Sequence, residues 1–311
     1  MIMKRLLLLL SLTLFIVVSC TSKNQKEGED IQEKPEQNHF SVPEIPIMLT
    51  TREQQAAYLA DHYWDNLEFL DSLDIEFTKI IEEAIIEYLM IIREVEPADA
   101  SNSVRSLMEK ASDNKKLTMI IAEKAEKFLH HPNSPIRNEI LYEEFLRGIL
   151  ASEVVEPINK TRFQYQFDMA QKNKPGNKAT DFNYTFKDGS RSSLYKTSGK
   201  IIMLYFHNPD CHECAATRDR IVNSQIIQKL KAQGILKILA VYPDEDLDLW
   251  NKHYAEFPDS WINAYDAETL VQDKELYDLK AIPTIYLLDD SKTVLRRDPA
   301  FDQLESYLSS M

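Results

Sequence analysis

The sequence predicts an all-α domain of five or six helices, followed by an α/β domain with a mixed sheet. From about residue 50 to 172, apolar residues recur at spacings of three and four, prolines fall between the periodic runs, and Gly148 is the one glycine. After about residue 180, continuous apolar runs alternate with helical patterns, which is typical of a sheet covered by helices. A chain of 311 residues is long enough for two separate cores.

Composition excludes several kinds of protein. The six glycines are too far apart to form a dinucleotide-binding or phosphate-binding loop. The three cysteines are too few for a disulfide-rich scaffold or a multi-cysteine metal module. With a formal net charge of −14, the chain lacks the basic surface of a nucleic-acid-binding protein, so we expect no nucleic-acid partner.

The N-terminus has the features of an export signal. Lys4 and Arg5 precede an apolar run over 6–18, which is short for a membrane span but suits a signal peptide. A small residue and then Cys20 follow, which resembles the lipobox of bacterial lipoproteins. We predict a lipoprotein signal peptide over 1–19 and lipidation of the Cys20 thiol. The alternative is an ordinary signal peptide followed by an incidental cysteine.

The segment after Cys20 is polar and cannot bury a core, so we predict a flexible tether over 20–44. A lipid on Cys20 would anchor the protein in the cell envelope. The expected location faces the periplasm from the inner or the outer membrane, with display on the cell surface as the alternative.

The helical domain is predicted over 45–172. Its clearest apolar face lies near residues 80–92, and the same period recurs over 117–129 and 140–150. No part of it has the spacing of a nucleophile with its base or of metal ligands. We interpret the following residues as core or helix ends rather than as a site: His62, Tyr63, Trp64, Phe69, His130 and His131.

The α/β domain is predicted over 173–311, after a polar linker centred on Pro175 and Gly176. An alternating segment with a central turn predicts a hairpin over 180–195. Buried strands are expected at 201–206, 236–242, 284–288 and 294–295. Helical patterns lie at about 213–232, 246–256, 269–278 and 301–309.

The remaining two cysteines form a C-x-x-C motif, Cys211-His212-Glu213-Cys214, between a buried strand and a helix. The free N–H groups and partial positive charge of a helix N-terminus favour Cys211 as a thiolate. Cys214 lies one helical turn further, within disulfide range but covered by the helix. Cys211 could then attack a substrate disulfide, and Cys214 could resolve the mixed disulfide.

Two other interpretations of the motif are weaker. A zinc site would need two more ligands, and His207 is the only histidine nearby outside the motif, so we expect no metal. A purely structural disulfide would close a very short loop and would remove little chain entropy.

Residues 176–311 resemble the TlpA-like thiol–disulfide oxidoreductases, which have a thioredoxin-like three-layer α/β fold. The resemblance rests on three ordered motifs: Gly176 with Ala179-Thr180-Asp181-Phe182, Gly199-Lys200 before the strand and C-x-x-C, and Ala281-Ile282-Pro283-Thr284 before the next strand. It implies that Pro283 is cis and packs against the cysteines. It also implies that Ile282 offers backbone groups to an extended substrate. The helical half resembles the uncharacterised domain that precedes such domains in Bacteroidota lipoproteins.

The chain departs from this family at three positions. Asp210 replaces the usual tryptophan before the first cysteine, Tyr205 replaces the buried aspartate of thioredoxins, and Thr217 replaces a glutamate frequent in TlpA-like proteins. Both usual proton-handling acids are therefore missing. His212 could stabilise the Cys211 thiolate when protonated, whereas Asp210 and Glu213 would oppose it. We expect these three residues and Ile282 to face the substrate.

The resemblance implies a membrane-tethered enzyme that reduces or isomerises disulfides in exported proteins. Its redox group would be the Cys211–Cys214 disulfide without any other cofactor, and a membrane electron donor would re-reduce it. The alternative is a redox-idle binding or assembly lipoprotein whose helical domain holds a partner. A peroxidase is less favoured, because the chain lacks the threonine that peroxiredoxins place three residues before the reactive cysteine.

Overall fold

The computed structural model describes residues 40–67 and 75–311. The predicted signal peptide, Cys20 and most of the predicted tether lie outside these residues. None of the helices within the described residues combines the length and the apolar character that crossing a membrane requires.

The N-terminal part is helical, as predicted, and a proline or a capping side chain marks most helix starts. Pro97 and Pro157 occupy first turns, where the missing N–H is tolerated. Thr51, Asn114 and Asn138 accept a backbone N–H at the start of their helices. The helices are α1 (Arg52–His62), α2 (Ile75–Ile92), α3 (Pro97–Ala111), α4 (Lys115–Ala125) with a π turn (Glu126–His130), α5 (Glu139–Ala151) and α6 (Pro157–Gln171).

Aromatic residues form part of the helical core, which agrees with their interpretation above. Tyr63 and Trp64 are buried and pack on each other with ring centroids 5.0 Å apart. Phe69 lies outside the described residues. Phe40 packs on both rings, at 5.6 and 5.1 Å, and Asn66 donates to the carbonyl of Ser41. The polar segment was predicted to be a tether as far as residue 44, but its last residues pack against the helical domain.

The second part is a seven-stranded mixed sheet in the order β2-β1-β5-β4-β3-β6-β7. β3 pairs in parallel with β4 and antiparallel with β6, so it lies inside the sheet. The strands are β1 (Asn183–Thr185), β2 (Arg191–Ser193), β3 (Ile201–Phe206), β4 (Leu236–Tyr242), β5 (Ile262–Tyr265), β6 (Thr284–Asp289) and β7 (Val294–Arg297). The helices are α7 (His212–Asn223), α8 (Gln225–Ala232), α9 (Leu247–His253), α10 (Leu270–Asp273) and α11 (Phe301–Ser309).

Alternate side chains of β3 enter two separate cores, one on each face of the sheet. Met203 and Tyr205 pack with apolar residues of α7, α8 and α11, whereas Leu204 and Phe206 pack with Tyr277 and with neighbouring strands. All six residues of β3 are buried, as a continuous apolar run predicts.

Three elements differ from the prediction. The helix expected over 213–232 divides at Ser224, because the Ser224 hydroxyl accepts the N–H of Ile227 and starts α8. The helix expected over 269–278 is only the short α10. β5 was not predicted from the sequence.

Candidate active site

The end of β3 and the start of α7 place Cys211 at an edge of the sheet. Cys211 is the N-cap of α7, and its Sγ accepts the backbone N–H of Cys214 at 3.1 Å. A sulfur at the N-terminus of a helix lies at the positive end of the helix dipole, where an anion is stabilised. The start of α7 therefore directs its partial positive charge at the Cys211 sulfur.

Cys214 has the opposite environment. It is 3 % exposed, whereas Cys211 is half-buried, and both are free thiols. Burial raises the pKa of the Cys214 thiol, although the N–H of Asn208 donates to its sulfur at 3.4 Å and opposes the effect. The pair thus combines one accessible sulfur with one protected and protonated sulfur.

The loop before β6 lies beside Cys211. The Ile282–Pro283 peptide bond is cis, as the family resemblance implied. The Cys211 thiol donates to the Ile282 carbonyl at an Sγ–O distance of 3.5 Å. Thr284 follows directly and pairs with Phe206 at the end of β3, which holds the loop against the cysteine motif.

The polar residues around the cysteines are exposed. The side chains of His212 and Glu213 are 92 % and 77 % exposed and face each other at 3.4 Å. Asp210 is 69 % exposed and lies 3.8 Å from His253 Nε2. His212 therefore pairs with a neighbouring carboxylate in solvent, and a substrate could reach all three motif residues.

Two family descriptions match the chain. Residues 199–294 match a family described as thioredoxin-like, and residues 19–173 match a domain of unknown function, DUF5106. A crystal structure of a thioredoxin-like protein from Bacteroides caccae ATCC 43185 is 40 % identical, with a TM-score of 0.83. The match covers 87 % of this chain and 98 % of that one. The chain belongs to the thioredoxin-like family.

Other solved structures are similar to part of this thioredoxin-like chain. The C-terminal domain of an uncharacterized protein from Bacteroides fragilis NCTC 9343 is 43 % identical, with a TM-score of 0.44, over 44 % of this chain and 98 % of that one. A thiol:disulfide interchange protein from a Bacteroides species is 21 % identical, with a TM-score of 0.39, over 44 % of this chain and 90 % of that one. No curated protein matches the chain.

Tyr205 occupies the position at which thioredoxins carry their buried acid. Its hydroxyl donates to the Cys214 carbonyl at 2.7 Å, and burial raises its pKa far above the usual range. Tyr205 is therefore a neutral hydrogen-bond donor that fixes the backbone under the motif. A neutral phenol cannot act as a carboxylate base.

His207 directly follows β3, and no sequence motif assigns it a role. It is fully buried, its ring lies 4.4 Å from that of Phe257, and it stacks on Tyr205. Within the described part of the chain, neither ring nitrogen has a hydrogen-bond partner. Burial lowers the pKa of His207 to about 3, with the charge of Arg218 adding to the effect, so the imidazole is neutral at physiological pH.

The sequence also does not indicate a chain of ion pairs next to Asp210, because these pairs join three separate elements. His253 pairs with Glu256 at 2.6 Å, and Glu256 pairs with Arg218 of α7 at 2.6 Å. No short sequence pattern links these positions. Among residues 40–67 and 75–311, no three His, Cys, Asp or Glu side chains are grouped so that they could hold a metal ion.

Proposed function

We propose that the protein is a thiol–disulfide oxidoreductase whose Cys211–Cys214 dithiol reduces or isomerises disulfides in other proteins. The proposal rests on the different environments of the two sulfurs at the start of α7. One sulfur is accessible and receives a helix N–H, and the other is buried beneath it with a raised pKa. Membership of the thioredoxin-like family supports this proposal.

The reduction would proceed by two exchanges. The Cys211 thiolate attacks one sulfur of the substrate disulfide, and the other substrate sulfur leaves as a thiolate and takes up a proton. Cys214 then loses its proton and attacks the Cys211 sulfur, which releases the second substrate thiol. Two electrons reach the substrate, a Cys211–Cys214 disulfide remains, and a donor dithiol must reduce it again. No other cofactor takes part.

The protein groups near Cys211 would serve mainly to bind and to orient. An extended substrate chain would lie along the cis-proline loop and pair with backbone groups of Ile282. The exposed side chains of Asp210, His212 and Glu213 would border that chain. Since Tyr205 is not a base, we propose that water or the leaving substrate thiolate accepts the Cys214 proton.

We further propose that the protein acts in the cell envelope on exported proteins. The supporting features are the apolar run over 6–18 and Cys20, which would carry a lipid anchor. The protein would face the periplasm from either membrane, and a membrane dithiol donor would supply its electrons.

Catalysed reduction of insulin with a dithiol donor tests the activity. Wild type should accelerate precipitation of the reduced insulin chains, and Cys211→Ser should abolish the acceleration. Cys214→Ser should form mixed disulfides that turn over slowly. Equal rates for wild type and Cys211→Ser would refute the proposal.

The second candidate is a redox-idle binding lipoprotein, favoured by the tyrosine at position 205 in place of an acid. In that case the helical domain would hold a partner non-covalently. Partner capture that is unchanged in the double variant Cys211→Ser/Cys214→Ser, together with no insulin reduction by wild type, would favour binding over catalysis.

A further inference from the structure

The helical domain contacts the segment that leads into the cis peptide bond, residues 275–283, called here the cis-proline segment. Lys280 lies two residues before Ile282, and its Nζ donates to Oε1 of Glu139 at 2.5 Å. Glu139 is the first residue of α5. A side chain of the helical domain therefore pairs with the Lys280 side chain, two residues before the candidate substrate-binding loop.

Glu139 is itself held in place from the other side. His130 of the π turn lies 3.2 Å from its second oxygen, and the His130 ring stacks on Tyr142 with centroids 4.5 Å apart. The side chains of Glu139 and Lys280 are 22 % and 18 % exposed, so solvent screens the pair only partly. Burial alone would raise the pKa of Glu139, but His130 and Lys280 outweigh it and lower the pKa to about 2.

A second ion pair joins the cis-proline segment to β7. Asp278 accepts from Arg297 at 2.6 Å, and these side chains are 8 % and 7 % exposed. Arg297 also donates to the carbonyl of Ala170 at the end of α6 and to that of Lys172 just beyond it. The same guanidinium thus connects the helical domain, the sheet and the cis-proline segment.

The start of the segment is held through its backbone. Lys172 Nζ donates to the backbone carbonyl of Glu275 at 2.6 Å, and the side-chain amide of Asn173 donates to the backbone carbonyl of Leu276 at 2.8 Å. Both donors directly follow α6. The segment is therefore fixed at its start by residues 172 and 173 and near its end by Glu139.

We propose that Glu139 is a positioning residue: through Lys280, the helical domain sets the position of the cis-proline segment and so the affinity for polypeptide disulfides. This inference rests on the proposed function and assigns the helical domain a part in it. A polypeptide needs the Ile282 backbone as well as the Cys211 sulfur, whereas a small disulfide needs little more than the sulfur. Displacing the segment should therefore affect the two substrates differently.

The test compares insulin with oxidised glutathione, using the full chain and a dithiol donor. For Glu139→Gln we expect the KM for insulin to rise about tenfold, the change that 1.4 kcal/mol of lost binding free energy produces. The kcat for insulin and the rate with glutathione should stay within about twofold. Lys280→Met should do the same, and the double variant should add little, because the same pair is already broken.

Glu143→Gln is the matched control. Glu143 lies one turn further along α5, is 8 % exposed, and pairs with Lys174 at 2.6 Å and with Arg147. The control therefore loses a buried ion pair on the same helix without touching the cis-proline segment. Its KM for insulin should equal that of wild type.

Hydrogen–deuterium exchange separates the inference from the proposed function. Amide exchange of peptides covering 275–283 should accelerate in Glu139→Gln and not in Glu143→Gln. Equal losses with both substrates, or a Glu143→Gln variant that behaves like Glu139→Gln, would overturn the inference. If wild type reduces neither substrate, the proposed function fails, and unchanged exchange in Glu139→Gln would still refute the positioning role.

Discussion

Replacement of His207 by phenylalanine should stabilise the protein, and the gain should grow as the pH falls. His207 lies in an aromatic environment formed by Tyr205, Phe257 and Tyr242. Its two ring nitrogens have no hydrogen-bond partner within the described residues. A phenyl ring fits these neighbours without burying an unpaired polar group, which should give about 1 kcal/mol at neutral pH.

The pH dependence follows from the pKa values. The imidazole has an ordinary pKa of 6.5, and burial lowers it to about 3 in the folded state. Between these values the unfolded chain binds a proton that the folded chain does not, so the free energy of unfolding decreases as the pH falls. The decrease due to His207 alone is about 0.2 kcal/mol at pH 7 and about 2 kcal/mol at pH 5.

Urea denaturation at pH 7 and pH 5 measures both quantities. The free energy of unfolding should fall by about 2 kcal/mol less in His207→Phe than in wild type over this interval. His131→Gln, which replaces an exposed histidine, is the control for the loss of a histidine outside the core. A His207→Phe variant with the wild-type slope would refute the assignment of a neutral buried imidazole.

Three further predictions concern the cysteines and the helical domain. Iodoacetamide should label Cys211 far faster than Cys214, because Cys214 is 3 % exposed and its thiol has a raised pKa. Comparable labelling of the two cysteines, measured by mass spectrometry, would contradict this. Gly148→Ala should lower the free energy of unfolding by about 1–3 kcal/mol, because a Cβ there would lie 2.5 Å from the Met108 Cβ, and an unchanged urea midpoint would contradict the close α3–α5 contact. The pKa of Glu139 falls from 4.5 to about 2 on folding, so the contribution of its carboxylate to the free energy of unfolding is complete above pH 4.5 and is lost on acidification. The destabilisation by Glu139→Gln should therefore be about 1 kcal/mol smaller at pH 4 than at pH 7. A destabilisation that is the same at both pH values would contradict the buried ion pair.

Local patterns were sufficient for the elements that carry the cysteines. The strand β3 and the helix that begins at His212 were both predicted, because the apolar pattern of the sequence matches the burial of the residues in the structure. β5 was missed because it is short and contains Asn263. The structure shows why a polar residue can be buried there: the Asn263 side chain accepts a hydrogen bond from Trp250 Nε1 at 3.2 Å. Such a contact depends on tertiary structure and leaves no periodic signal.

The surroundings of the cysteines were less predictable. Sequence adjacency suggests that His212 acts on Cys211, but at the first helical position its side chain is exposed to solvent and faces Glu213. The contact between Glu139 and Lys280 joins residues far apart in the chain, and neither belongs to a motif. Since ion pairs between domains require only complementary charges at a shared surface, no spacing rule predicts them.

Trapping of a mixed disulfide tests the central claim most directly. Full-length Cys214→Ser is incubated with a disulfide-bonded peptide, quenched with acid and analysed by intact-mass spectrometry, with Cys211→Ser as the matched control. Attack by Cys211 predicts an adduct on Cys214→Ser that maps to Cys211 and is released by excess thiol. No adduct on Cys214→Ser, or an equal adduct on Cys211→Ser, would contradict a dithiol mechanism that starts at Cys211.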